Sequence, residues 1–122
     1  MHVRTLFAIS LIFTVSMTCS GFAAQQQSQN AQSAQELQLL QIARQTATIA
    51  GGARYCKLDI DDIEEFIGKA DARIVLLARD DYQKILGRLE FKNILAAASA
   101  KEPTEGCKKL EDQFNTILRE SR

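Results

Sequence analysis

The sequence predicts an all-α protein, a small up-down helical bundle of three to four helices stapled by one disulfide. Three observations predict it. Apolar residues recur at alternating steps of three and four along most of the chain, the period of a helix with one buried face. No stretch alternates apolar and polar residues as a half-buried strand would. Two cysteines, Cys56 and Cys107, stand where the first helical stripe ends and the last begins.

The first segment, MHVRTLFAISLIFTVSMTCSGFAA, has the layout of a cleaved secretory signal over residues 1–24. Arg4 precedes an apolar run from Leu6 to Val15, and Gly21-Phe22-Ala23 sets small residues at the cut, which Phe22-Ala23-Ala24 shifts by one. A membrane span needs roughly 20 apolar residues, and Ser10, Thr14, Ser16 and Thr18 interrupt the run before that. Ser16-Met17-Thr18 ahead of Cys19 lacks the leucine and the small residue of a lipoprotein cleavage box. The expectation is a periplasmic or secreted chain with no stable membrane anchor after cleavage.

That cut bounds the chemistry. It removes His2, the only histidine, so His-based acid–base catalysis and the usual zinc site are excluded. The whole chain carries 15 basic and 15 acidic side chains, and the signal takes only Arg4, so bulk charge gives no nucleic-acid footprint. Of three cysteines, Cys56 and Cys107 remain, an even pair in an exported chain and therefore an expected disulfide.

Residues 25–33, QQQSQNAQS, hold nothing that could enter a core and read as a disordered Gln/Ser-rich leader. The helical bundle domain follows over 34–122. Its first helix is expected from about Ala34 to Lys57 with the stripe Leu39, Ile42, Thr46, Ile49, Ala53, Cys56. Gly51-Gly52 sits inside that stripe; each glycine weakens a helix by roughly 1 kcal/mol, yet the register runs through both.

CKLDIDDIEEF, from Cys56 to Phe66, gathers five carboxylates and invites a calcium-loop reading. A loop starting at Asp59 would place Ile63 at the fifth ligand position, Glu64 where the turn glycine belongs and Ala70 where the bidentate glutamate belongs, so the match fails. The same residues make a good helix start. Asp59 caps, Asp61, Asp62 and Glu64 complement the positive first turn, and Leu58 staples onto Ile63. No metal is expected. The second stripe is then Ile60, Ile63, Ile67, Ala70, Ile74, Leu77.

Arg79-Asp80-Asp81 offers a new cap, and a third helix is expected to about Ala100. Tyr82, Ile85, Leu86, Leu89, Ile94 and Ala96-Ala97-Ala98 are its expected buried face. Lys101 to Gly106, with the only proline, is a loop. Cys107, Leu110, Phe114 and Ile117 define the last helix. In an up-down bundle the end of helix one and the start of helix four share one end, which brings Cys56 to Cys107. Closing a loop of about fifty residues stabilises by roughly 4 kcal/mol at most in the chain-entropy model, a useful staple for so small a domain.

Lys84, Arg88 and Lys92 recur every four residues and form a basic line on helix three, where their mutual repulsion points to an anionic complement. That complement is either a protein partner or the acids that open helix two, with Asp80 and Asp81 also relieving Lys84; the alternative is a plain solvated face. Tyr55, Phe66 and Phe91 are expected in the core. The chain lacks a GxSxG elbow and a phosphate-cradling glycine loop, so no enzyme and no cofactor are expected. Size, export, helicity and one long-range disulfide are similar to those of the small helical acid-stress chaperones of the bacterial periplasm, without a shared motif. Phe66-Ile67-Gly68-Lys69-Ala70-Asp71-Ala72 is similar in flavour to a segment of helical periplasmic immunity proteins. The expectation is a non-enzymatic protein acting through protein–protein interaction, with a stress chaperone or an immunity protein as the alternatives.

Overall fold

The computed structural model describes the backbone of residues 20–122 and the side-chain surroundings from Asn30 onward. Residues 1–19 of the expected leader peptide lie outside the described residues. Four helices follow in order: α1 (Ser20–Tyr55), α2 (Ile60–Leu77), α3 (Asp81–Ser99) and α4 (Cys107–Glu120). Among the described residues there is no strand.

α1 starts earlier than expected, and residues 25–33 continue it as helix instead of an irregular leader. Glutamine and alanine are good helix formers, and no proline or glycine interrupts the chain between Phe22 and Ala50. Asn30 to Ala34 are nonetheless exposed, and the first fully buried residue is Leu39. The helix runs unbroken through Gly51-Gly52 and stops at Tyr55 in a Schellman closure. Leu58 N–H donates to Ala53 O at 3.1 Å and Lys57 N–H to Arg54 O at 3.1 Å, with Lys57 in the left-handed region at φ 56. A lysine holds the position where glycine is usual.

The helices alternate in direction. Gln35 Nε2 donates to Leu77 O, so α2 runs back along α1. Arg44 pairs with Glu90, and a Cβ on Gly51 would meet Ala98, so α3 runs in the same direction as α1. The Cys56–Cys107 disulfide, with Cα atoms 5.5 Å apart, starts α4 at the end of α1 and sends it back. The bundle is up-down-up-down, stapled at the end where the first and last stripes meet.

The buried face of α1 differs from the expected stripe. Leu39 and Ala53 are buried, but between them the core takes Ala43, Ala47, Ala50, Gly51 and Gly52, while Ile42, Thr46 and Ile49 sit half-buried on the flank. The reason is the distance to α3. A Cβ at Gly51 would lie 2.5 Å from Ala98 Cβ and 2.8 Å from Leu95 O; on the α4 side, one at Gly52 would lie 2.8 Å from the Leu110 side chain at Cδ2. Only small residues fit between backbones this close.

α3 is accordingly rotated from its expected setting. Gln83, Gly87 and Phe91 face inward, with Ile94, Leu95 and Ala98 half-buried beside them. Tyr82, Ile85, Leu89, Ala96 and Ala97, expected in the core, are exposed. Gly87 lets Leu39 and Ile74 press against the α3 backbone, a place no branched side chain could occupy. Gln83 is buried without penalty, because its Oε1 accepts from Arg79 N–H while Asp80 Oδ1 accepts from Gln83 N–H, a local variant of the capping box.

Two apolar clusters result. Leu39, Ala43, Ala47, Ala70, Ile74 and Phe91 join α1, α2 and α3. Ala50, Ala53, Ile63, Phe66, Leu110, Phe114 and Leu118 join α1, α2 and α4, with the Phe66 and Phe114 rings 5.4 Å apart and Leu58 packed against the group. Phe66 and Phe91 are thus core residues, whereas Tyr55 and Ile60 are exposed. α4 buries Leu118, with Ile117 half-buried beside it.

Two glycine substitutions separate these roles. Gly68 also sits in a helix, but a Cβ there meets nothing within 4 Å. Gly68→Ala should stabilise by roughly 0.5–1 kcal/mol through helix propensity alone. Gly51→Ala should instead destabilise by about 1–2 kcal/mol, because overpacking against Leu95 and Ala98 outweighs the same gain. Urea denaturation of the oxidised protein reads both, and equal stabilisation by the two would contradict the close approach.

Candidate partner-binding surface

Four of the five carboxylates that open α2 are engaged in separate local tasks, and Asp61 adds its charge to the first turn. Asp59 Oδ1 accepts from Asp61 N–H at 2.9 Å and Asp62 N–H at 3.2 Å, so it is the N-cap. Glu64 Oε1 accepts from Arg54 Nη2 at 2.8 Å. Asp62 and Glu65 hold the chain's last residue: Arg122 Nη2 donates to Asp62 Oδ1 at 2.8 Å and to Glu65 Oε2 at 2.9 Å. Lys69 Nζ donates to Glu65 Oε1 at 2.7 Å and to Ser121 O at 3.1 Å. These contacts fasten the end of α4 across α2. Among the described residues, no group of three or more carboxylate, cysteine or histidine side chains is arranged to hold a metal ion.

The basic line on α3 meets a different complement from the acids at the start of α2. Arg88 donates through Nε and Nη2 to the two oxygens of Asp71, each at 2.7 Å, and Asp71 lies in the middle of α2. Lys84 donates to Asp81 one turn earlier at 2.8 Å. Lys92 is exposed and makes no hydrogen bond or ion pair among the described residues. Arg88 and Asp71 are both close to half exposed, so their pair fixes the guanidinium in place more than it stabilises the fold.

Beside that line runs an apolar one. At about 100° per residue, Ile85 and Leu89 follow directly beside Lys84 and Arg88, and Tyr82 lies above them. Tyr82 is 67% exposed, Ile85 59% and Leu89 53%. Leu76, at the last turn of α2 near the start of α3, is 85% exposed. Monomeric proteins carry single exposed apolar residues routinely, and it is large contiguous patches rimmed by polar residues that mark interaction sites. Lys84, Arg88 and Lys92 were legible as a line; Tyr82, Ile85 and Leu89 were read as core. The missed signal is the second register of α3, Gln83, Gly87, Phe91, Ala98, whose small residues mark it as the close-packed side.

Among the surface hollows, one of about 250 Å³ lies between α1, the end of α3 and the 101–105 loop, lined by Thr48, Gly52, Ala98, Glu102 and Pro103 among others, beside wider grooves along α4 of about 570 and 720 Å³. The first falls below the usual size of a small-molecule site, and the wider two are open to solvent. Among the described residues no helix is long and apolar enough to cross a membrane.

What fold and surface together define is a small all-α bundle, stapled by one disulfide, with an apolar and basic outer face on α3. Comparison with family models, with curated proteins and with solved structures finds no match.

The ion pairs make stability pH-dependent. Hydrogen bonds from Arg122 and then Lys69 hold the Glu65 carboxyl down at about 2. Arg88 lowers Asp71 and Lys84 lowers Asp81 in the same sense. Carboxylates depressed in the folded state contribute stability that is present above their unfolded pKa and lost as pH falls through the folded one. Urea midpoints should therefore be level near neutrality and decline from about pH 4.5 toward 2, the window of Glu65. Glu65→Gln should flatten that decline. A midpoint insensitive to pH in this window, or one unchanged in slope by Glu65→Gln, would contradict the clamp.

Proposed function

We propose that this is an exported, periplasmic, non-enzymatic protein that works by binding another protein through the outer face of α3. The observation that carries the reading is the rotation of α3: the helix spends its small residues on α1 and leaves Tyr82, Ile85 and Leu89 in solvent. Leaving three large apolar side chains exposed has a cost in solubility that a partner surface explains. A disulfide between distant positions supports an oxidising compartment.

The acid-stress chaperone is the second reading, favoured by the carboxylate clamp at Glu65, which loosens as pH falls. One experiment tests both. A photo-crosslinking residue placed at Leu89, with exposed Thr48 of α1, beside the hollow at the end of α3, as control, is irradiated in cells or in periplasmic extract. The interaction reading expects one dominant adduct at neutral pH from position 89 and none from 48. Many adducts that form only in acid would favour the chaperone, and no adduct at either pH would remove both.

A further inference from the structure

We infer that the outer face of α3 docks an amphipathic helix of a protein partner whose apolar stripe is edged with carboxylates; this deepens, and rests on, the protein-binding reading above. The spacing sets the shape. Tyr82, Ile85 and Leu89 step by three and four, the seam of a helix pair, and helix recognition is read through such anchors. Leu86, half-buried beside them, closes one side of the seam.

Charge selects the occupant. One edge of the seam carries Lys84, Arg88 and Lys92, while the other carries Leu86, Asn93 and Ala97, with Glu90 beyond them already paired to Arg44 of α1. Asp81 and Asp71 answer Lys84 and Arg88 within the chain, so the net positive charge of that edge is Lys92, with the Arg88 guanidinium fixed against α2 by Asp71. A second copy fits this poorly. Antiparallel pairing about a twofold axis sets like edges together, Arg88 and Lys92 against their counterparts, and parallel pairing sets the basic edge against one whose carboxylate, Glu90, Arg44 already holds. An anionic membrane fits poorly too, since attraction to anionic lipid rests on a cluster of several basic residues, and Asp81 and Asp71 leave this edge one net positive charge. A helix with glutamates or aspartates along one flank satisfies both the apolar seam and Lys92.

The probes are three labelled three-heptad peptides with leucine at the seam positions and glutamate, glutamine or lysine at the flanking positions, titrated against the oxidised protein by fluorescence anisotropy. The expected order is Glu tighter than Gln tighter than Lys, about tenfold from first to last at low salt and compressed as salt rises. Lys92→Glu should erase or reverse the order, and the exposed double substitution Ile85→Ala, Leu89→Ala should weaken the Glu peptide at least about tenfold while leaving thermal stability unchanged. Equal binding of the three peptides, binding that survives the double substitution, or no binding would overturn the proposal. So would self-association abolished by that double substitution, or retention on vesicles of anionic phospholipid. If the peptides fail while the Leu89 crosslink to a protein persists, the protein-binding reading stands and only the helix chemistry falls; if both fail, both fall.

Discussion

The close approach of α1 and α3 governs the rest of this bundle. At Gly51 the two backbones come so near that a methyl group would lie 2.5 Å from Ala98 Cβ. Helices of the same direction pack this tightly only where one presents a run of small residues, here Ala43, Ala47, Ala50 and Gly51. Alanine and glycine release little apolar area, so the contact works by density of packing more than by hydrophobic transfer. The larger apolar contributions come from the flanks, from Leu39, Ile74 and Phe91 on one side and Ile63, Phe66, Leu110 and Phe114 on the other.

Several features follow from that contact. Drawing α3 onto α1 by Gly87 and Ala98 fixes its rotation and so turns Tyr82, Ile85 and Leu89 to solvent. α4 is short, 14 residues, and would be weakly held by its three buried side chains alone. It is secured at both ends instead, by Cys107 bonded to Cys56 and by Arg122 and Ser121 hydrogen-bonded to side chains of α2. The staple spans 51 residues of sequence, where removing loop-closure entropy from the unfolded chain has a large effect.

Much of this was legible in the residues. Asp59 and Asp80 announced the starts of α2 and α3 because capping is local chemistry, decided within three or four positions. The disulfide was legible because bundle topology leaves few places for two cysteines to meet. The α4 stripe was legible because its charged face leaves one choice of register. α3 was not, since it carries apolar residues at both registers and a count of large side chains favours the wrong one. The inward setting of Gly87 and Ala98 depends on how near α1 stands, a tertiary fact with no local marker. The end of α1 was blurred for a related reason, as Lys57 takes a left-handed backbone that a glycine would have signalled. For the outer surface, the basic line was visible from its spacing of four, but its partner Asp71 was not, because nothing in the sequence sets the rotation of α2 against α3.

The most direct test is an NMR measurement of through-space proton contacts in the oxidised protein. A close α1–α3 approach predicts strong cross-peaks between the Gly51 α-protons and the Ala98 methyl, and between the Leu39 methyls and the Gly87 α-protons. The methyls of Ile85 and Leu89 should show none to α1. Cross-peaks from Ile85 and Leu89 to Ala43 or Ala47, with the Gly51–Ala98 contact absent, would mean that α3 turns its large apolar face inward, and both the packing account and the surface built on it would fall.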